Sequence, residues 1–307
     1  MSAIVEATDL SKWYGQVIAV NKVSFSLGAG VIGLLGPNGA GKSTLMKLIT
    51  GQLRPSKGEI SVSGAPIWNN FSMFHRIGFC PEQDSFYERM TGPEFLSALL
   101  RLHGFEEKEL ERRVDAALEA VRLASARQKK IAAYSKGMRQ RIKMAQAIAH
   151  DPDILVLDEP LAGMDPVARH ETIRSVREWG KAGKCVIVSS HILHEIEAMT
   201  QNILLIHNGQ VLAEGDVHQI RSLIDQHPHS IYIRCSDPRR LAEALVACPD
   251  VESVRFHPDG KALTVESRRP DDFYERLPDL LLRYEIDLDE MTSPDDNLQA
   301  VFQYLVK

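Results

Sequence analysis

Apolar and polar residues alternate cleanly at Val23, Phe25 and Leu27 with serines between them, and a short apolar run covers 17–20, so the chain up to about Leu27 is expected to be β. A mostly apolar stretch, 31–35, then runs into glycines. That is a buried strand feeding a glycine loop and a helix. Two further short strands are expected at 59–62 and 77–80, after which the spacing lengthens. Phe95, Leu99 and Leu102, then Val114, Leu118 and Val121, recur at helical intervals, and Thr91 with Glu94 fits a capping box. The β pattern returns at 154–157 and 185–188 around a helix expected at 166–179, the rhythm of a parallel sheet. The helical block, about 86–150, therefore reads as an inserted subdomain. Segments 202–206 and 210–213, around His207, Asn208 and Gly209, are expected to form a hairpin.

Residues 224–230 are polar, aperiodic and contain Pro228, which marks a linker. Beyond it the expected order is strand 231–235, helix 238–247, strand 251–256, turn 257–260, strand 262–266, helix 271–284, strand 286–289 and a last helix from Pro294. This βαββαβ order predicts a ferredoxin-like α+β domain. The chain is thus expected to be an α/β P-loop NTPase domain over 1–223, a linker over 224–230 and an accessory domain over 231–307.

With 307 residues, 44% of them hydrophobic, two domains with sizeable cores are expected. A net charge of -5 and a pI near 6.1 make no overall case for nucleic-acid binding. The basic stretches at 127–130, 239–240 and 268–269 read as solvated faces. Cys80, Cys185, Cys235 and Cys248 lack metal-binding spacing and read as reduced thiols, and His227 and His229 flank a proline with no further ligands. The N-terminus is strand-like rather than leader-like, so export of the chain is not expected, and no apolar run approaches a membrane span.

The chemistry begins at Gly36, Pro37, Asn38, Gly39, Ala40, Gly41, Lys42, Ser43 and Thr44, which contain G-x-x-x-x-G-K-[ST] between an expected strand and helix. In that context backbone N–H groups wrap phosphates, Lys42 neutralises their charge and Ser43 is a Mg²⁺ ligand. Asp158 and Glu159 end an apolar strand, an arrangement that is costly unless the carboxylates meet a metal, a proton or water. Asp158 is expected to hold Mg²⁺ and Glu159 to polarise the attacking water. His191 stands where the next strand gives out, placed to donate to a γ-phosphate. Tyr14 offers an aromatic face to a nucleobase, with Trp13 competing for that role.

Together with Ser135, Gly137 and Asp165, these residues resemble, in order and spacing, the ATP-binding cassette (ABC) ATPases over about residues 4–223. The run from Tyr134 to Arg141, the Gly163-Met164-Asp165 segment and the trailing small module are similar to the ABC-2 branch of transporters. The resemblance implies that Ser135 and Gly137 contact the γ-phosphate of an ATP held mainly by a second copy of the domain, and that Asp165 lies in a loop crossing that dimer interface. Two departures stand out. Tyr134, Lys136 and Met138 replace signature residues, and the position of a Mg²⁺-binding glutamine falls on Glu82, with Gln83 one beyond, so both are carried. The implied protein is the ATP-hydrolysing subunit of an ABC-2 type exporter. It would sit peripherally on the cytoplasmic face of the membrane and work with a separate permease, with ATP and Mg²⁺ as cofactors. Phe86, Tyr87 and Met90 are expected near the permease contact. The alternatives are a soluble ABC ATPase acting on ribosomes or nucleic acid, and an ATP-switched sensor.

Overall fold

The computed structural model describes residues 3–222 and 228–293. The chain forms two compact units, Met1–Gly215 and Asp216–Lys307, dividing upstream of the expected boundary at residue 223. The helix expected from Pro294 and linker residues 224–227 lie outside the described residues.

The first unit opens with β1 (Val5–Tyr14), β2 (Val17–Leu27), β3 (Gly30–Leu35) and α1 (Lys42–Ile49), followed by β4 (Lys57–Val62), β5 (Ala65–Pro66), α2 (Phe71–Phe74) and β6 (Ile77–Cys80). The inserted helices are α3 (Gly92–Leu102), α4 (Glu107–Ala120) and α5 (Lys136–Ile148), and the unit closes with β7 (Ile154–Leu157), α6 (Pro166–Lys181), β8 (Cys185–Ser189), α7 (Leu193–Glu197), β9 (Asn202–His207) and β10 (Gln210–Asp216). The two apolar segments expected before Leu27 are one strand, β2. It bulges at Lys22 (φ 47°), whose N–H is taken up by the buried Ser11 hydroxyl at 2.9 Å.

Strands order as β2-β1-β4-β5 in one sheet and β10-β9-β3-β8-β7-β6 in the other, where β6, β7, β8, β3 and β9 run parallel. Helix α1 lies in the core they share. Its Leu45, Met46, Leu48 and Ile49 are fully buried with Val5 and Val62 of the first sheet and Leu34 and Val156 of the second. Each such side chain contributes about 2 kcal/mol, which anchors the helix that follows the glycine loop. At the N-terminal ends of the parallel strands, Arg76 pairs with Asp153 at 2.7 Å, and Lys184 binds Asp151 and the Pro152 carbonyl at 2.7 and 2.6 Å.

The second unit contains α8 (Val217–Ser222), β11 (His229–Cys235), α9 (Pro238–Val246), β12 (Val251–Phe256), β13 (Ala262–Ser267), α10 (Pro270–Arg283) and β14 (Leu288–Thr292). The antiparallel order β12-β13-β11-β14 places β13 between β11 and β12, the split βαβ arrangement that the expected connectivity requires. His229 and Ser230, expected in the linker, already pair with Ser267 and Glu266. The last strand begins at Leu288 rather than at 286. Glu285 (φ 52°) closes α10 in a left-handed turn, with the Ile286 N–H on the Leu281 carbonyl at 2.9 Å, so Ile286 is buried as part of the helix cap.

Candidate active site

The parallel register brings four strand ends to one place. β3 delivers the glycine loop, β7 delivers Asp158 and Glu159, β8 delivers Ser189 and His191, and β6 delivers Glu82. Around them lies a cavity of about 380 Å³ lined by Pro37, Asn38, Gly39, Gly41, Lys42, Ser43, Thr44, Glu82, Asp158, Glu159 and Ala19. Gly36 and the buried Ala40 complete the loop from behind. Gly41 caps α1 at φ 108°, and a Cβ there would fall 2.4 Å from the Ala19 carbonyl oxygen, so only glycine fits.

Lys42 Nζ donates to the Gly36 and Pro37 carbonyls at 2.7 and 3.2 Å, which holds it across the loop's mouth. Burial lowers its pKa, and the charges of Glu159, Asp158 and Glu82 oppose that shift. Three carboxylates around one ammonium beside a glycine loop give the cavity a charge pattern suited to a polyanion together with a cation.

The two carboxylates of β7 are held differently. Asp158 is buried, and its Oδ1 accepts from Ser189 Oγ at 2.7 Å. Glu159 adopts a left-handed backbone (φ 49°), its N–H donating to the same Ser189 Oγ at 2.9 Å and its carbonyl accepting from Gln140 Nε2 at 3.2 Å. The Glu159 Oε2 lies 2.9 Å from His191 Nδ1. Burial raises the Glu159 pKa, while the hydrogen bond and charge of His191 pull it down. A carboxyl poised in this way suits proton transfer to and from water.

The family model described as ABC transporter matches residues 20–162. Nod factor export ATP-binding protein I of Rhizobium meliloti (strain 1021) is 32% identical over 295 residues, which is 91% of this chain and 87% of that protein. The chain belongs to the ABC transporter ATP-binding proteins. Bacitracin transport ATP-binding protein BcrA of Bacillus licheniformis is 30% identical over 309 residues, covering 100% of this chain and 98% of its own. A solved ATP-binding subunit of an ABC transporter superposes with a TM-score of 0.66 at 32% identity, covering 72% of this chain and 92% of that one. This ABC protein is therefore an ATP-binding ATPase, and the cavity is the one its glycine loop lines.

The remaining expected residues of the ABC cassette stand elsewhere. Ser135 caps α5, accepting from the Met138 N–H at 3.3 Å, and Asp165 caps α6, accepting from the Ala168 N–H at 2.9 Å. Neither they nor Gly137 line the cavity. A Cβ at Gly137 would meet nothing nearer than the Gly163 carbonyl at 3.6 Å, so nothing around it in the described residues requires a glycine. Gln83 does not line the cavity, whereas Glu82 does. Tyr14 is exposed, with Lys12 Nζ 5.5 Å from its ring centre, and is likewise outside the lining. Ser189, Gln140 and Lys143 escaped the sequence reading. A hydroxyl ending the apolar run 185–188 was a usable signal, but the partners of Gln140 and Lys143 become visible only in three dimensions.

Proposed function

We propose that this chain is the ATP-hydrolysing subunit of an ABC-2 type transporter, driving export through a separate membrane permease from the cytoplasmic face of the membrane. Both named relatives are transport proteins by name, and the chain spans nearly all of each, which favours transport over the ribosome, nucleic-acid and sensor alternatives. Among the described residues no helix is long and apolar enough to cross a membrane, in keeping with a separate permease.

In this reading the glycine loop and Lys42 bind the phosphates, Tyr14 stacks on the base, Glu159 polarises water and His191 orients the γ-phosphate. The Ser43 hydroxyl and the Asp158 and Glu82 carboxylates suit Mg²⁺, which binds through one or two carboxylates plus phosphate oxygens, and Glu82 takes the role for which Gln83 was the alternative. Mg²⁺ held by these residues would supply positive charge against the phosphates. The 1–223 domain carries this chemistry, and the 231–307 domain supports dimerisation or regulation.

One observation carries the two-chain form of the proposal: Ser135 and Gly137 stand outside their own phosphate cavity, and a Cβ at Gly137 would meet only the Gly163 carbonyl, at 3.6 Å. Ser135 and Gly137 then meet the nucleotide of a second copy, and Asp165 crosses the interface. Glu159→Gln tests this. It is expected to form an ATP-dependent dimer by size-exclusion chromatography while turnover falls about 10²-fold or more. Hydrolysis at the wild-type rate, or a monomer at saturating ATP, would refute it.

A further inference from the structure

Lys143 is a lysine where the helix pattern calls for an apolar residue. It lies on the inner face of α5 between Ile142 and Met144 and is only 3% exposed. Lysine is almost never buried so deeply without partners. Its Nζ donates to the backbone carbonyl of Glu82 at 2.6 Å and reaches Asp84 Oδ1 at 3.2 Å. One turn earlier on the same helix, Gln140 holds the carbonyl of Glu159. Arg139 beside it reaches Asp84 and Glu88 at 3.7 and 3.0 Å.

One turn of α5 therefore grips the main chain at two of the three acidic residues that line the cavity, Glu82 and Glu159, while Ser135 caps the start of the same helix. A helix of 13 residues is stiff over this distance, so any displacement of the Glu82 segment is carried to the Ser135 end.

We infer that Lys143 is a positioning residue that couples nucleotide occupancy at the chain's own Glu82 segment to the placement of its Ser135–Gly137 loop. The inference rests on the two-chain reading above. Lys143 does not line the cavity; it acts through the Glu82 carbonyl and the Asp84 carboxylate together. Without it, each cassette still binds nucleotide, but binding no longer sets α5 for docking on the second copy.

The test compares Glu159→Gln with Lys143→Met/Glu159→Gln in the full chain, reading the ATP concentration at half-dimerisation and the ADP affinity of the monomer. Methionine keeps the length and packing of the side chain and removes the donor. The expected result is ADP affinity within about twofold and a half-dimerisation point raised about fivefold or more. Lys143→Arg in the same background should recover part of the shift, which a loss of packing alone would not produce. Should Lys143→Met fail to fold, Asp84→Ala, on the exposed side of the same link, replaces it and should move the midpoint in the same direction. An unchanged midpoint in a background where Glu159→Gln itself dimerises overturns the coupling and leaves the two-chain reading standing. Failure of Glu159→Gln to dimerise overturns both.

Discussion

His191 Nδ1 stands 2.9 Å from Glu159 Oε2, with the histidine ring largely in solvent and the carboxyl largely out of it. The contact opposes the effect of burial on Glu159, so the histidine keeps the carboxyl ionised over a wider pH range than its site alone would allow.

Replacing His191 with alanine leaves the Lys42 charge alone to oppose burial and the charge of Asp158, and the folded pKa of Glu159 rises further. In the proposed role the ionised form takes a proton from water, so the acid limb of the kcat–pH profile should move to higher pH in His191→Ala, along with a fall in kcat at the optimum. A limb at the wild-type position would show that Glu159 is not the group that titrates.

Ser189 is wholly buried and serves two neighbours through one hydroxyl, donating to Asp158 and accepting from the Glu159 N–H. Ser189→Ala strands both groups, each at a cost of about 1–3 kcal/mol, and frees the left-handed turn at Glu159. Urea midpoints should record a loss of at least 1 kcal/mol, and turnover should drop about tenfold beyond any effect of unfolding. A variant matching wild type in both measurements would remove Ser189 from the site.

His150 is buried, stacks on His103 with ring centres 4.2 Å apart and places Nε2 3.1 Å from the Ile77 carbonyl. Burial first, then the neighbouring His103, lowers its pKa to about 4, with His75 and Arg113 adding in the same direction against the Ile77 hydrogen bond. Since the folded pKa lies below the unfolded one, its stabilisation is complete above about pH 6.5 and is lost as pH falls toward 4, roughly 3 kcal/mol in all. Denaturant titrations across that window should show a shallower slope in His150→Gln than in wild type. Parallel slopes would place the acid sensitivity elsewhere.

Much of the site was legible because it follows strand ends. The glycine loop after β3 and the acidic pair after β7 announce themselves by an apolar run that stops at polar residues. Ser189 was not read because its role depends on register: β7 and β8 pair Leu157 with Val188, which brings the next residues, Asp158 and Ser189, side by side. Lys143 meets Glu82 across 61 residues of chain, and no local pattern encodes that contact. In the second unit the helix end at Glu285 lacks the glycine that usually marks a left-handed cap, so the strand after it was expected too early.

The ion pairs at the other ends of the same strands acquire a meaning from this geometry. Arg76, Asp151, Asp153 and Lys184 precede β6, β7 and β8 just as Glu82, Asp158 and His191 follow them. Such partly exposed pairs are individually weak, but they fix where each strand starts and therefore where each one stops. The parallel sheet thus has a rim that sets alignment and a rim that carries the proposed site, separated by the length of four or five residues, so a strand that slides at the first is displaced at the second.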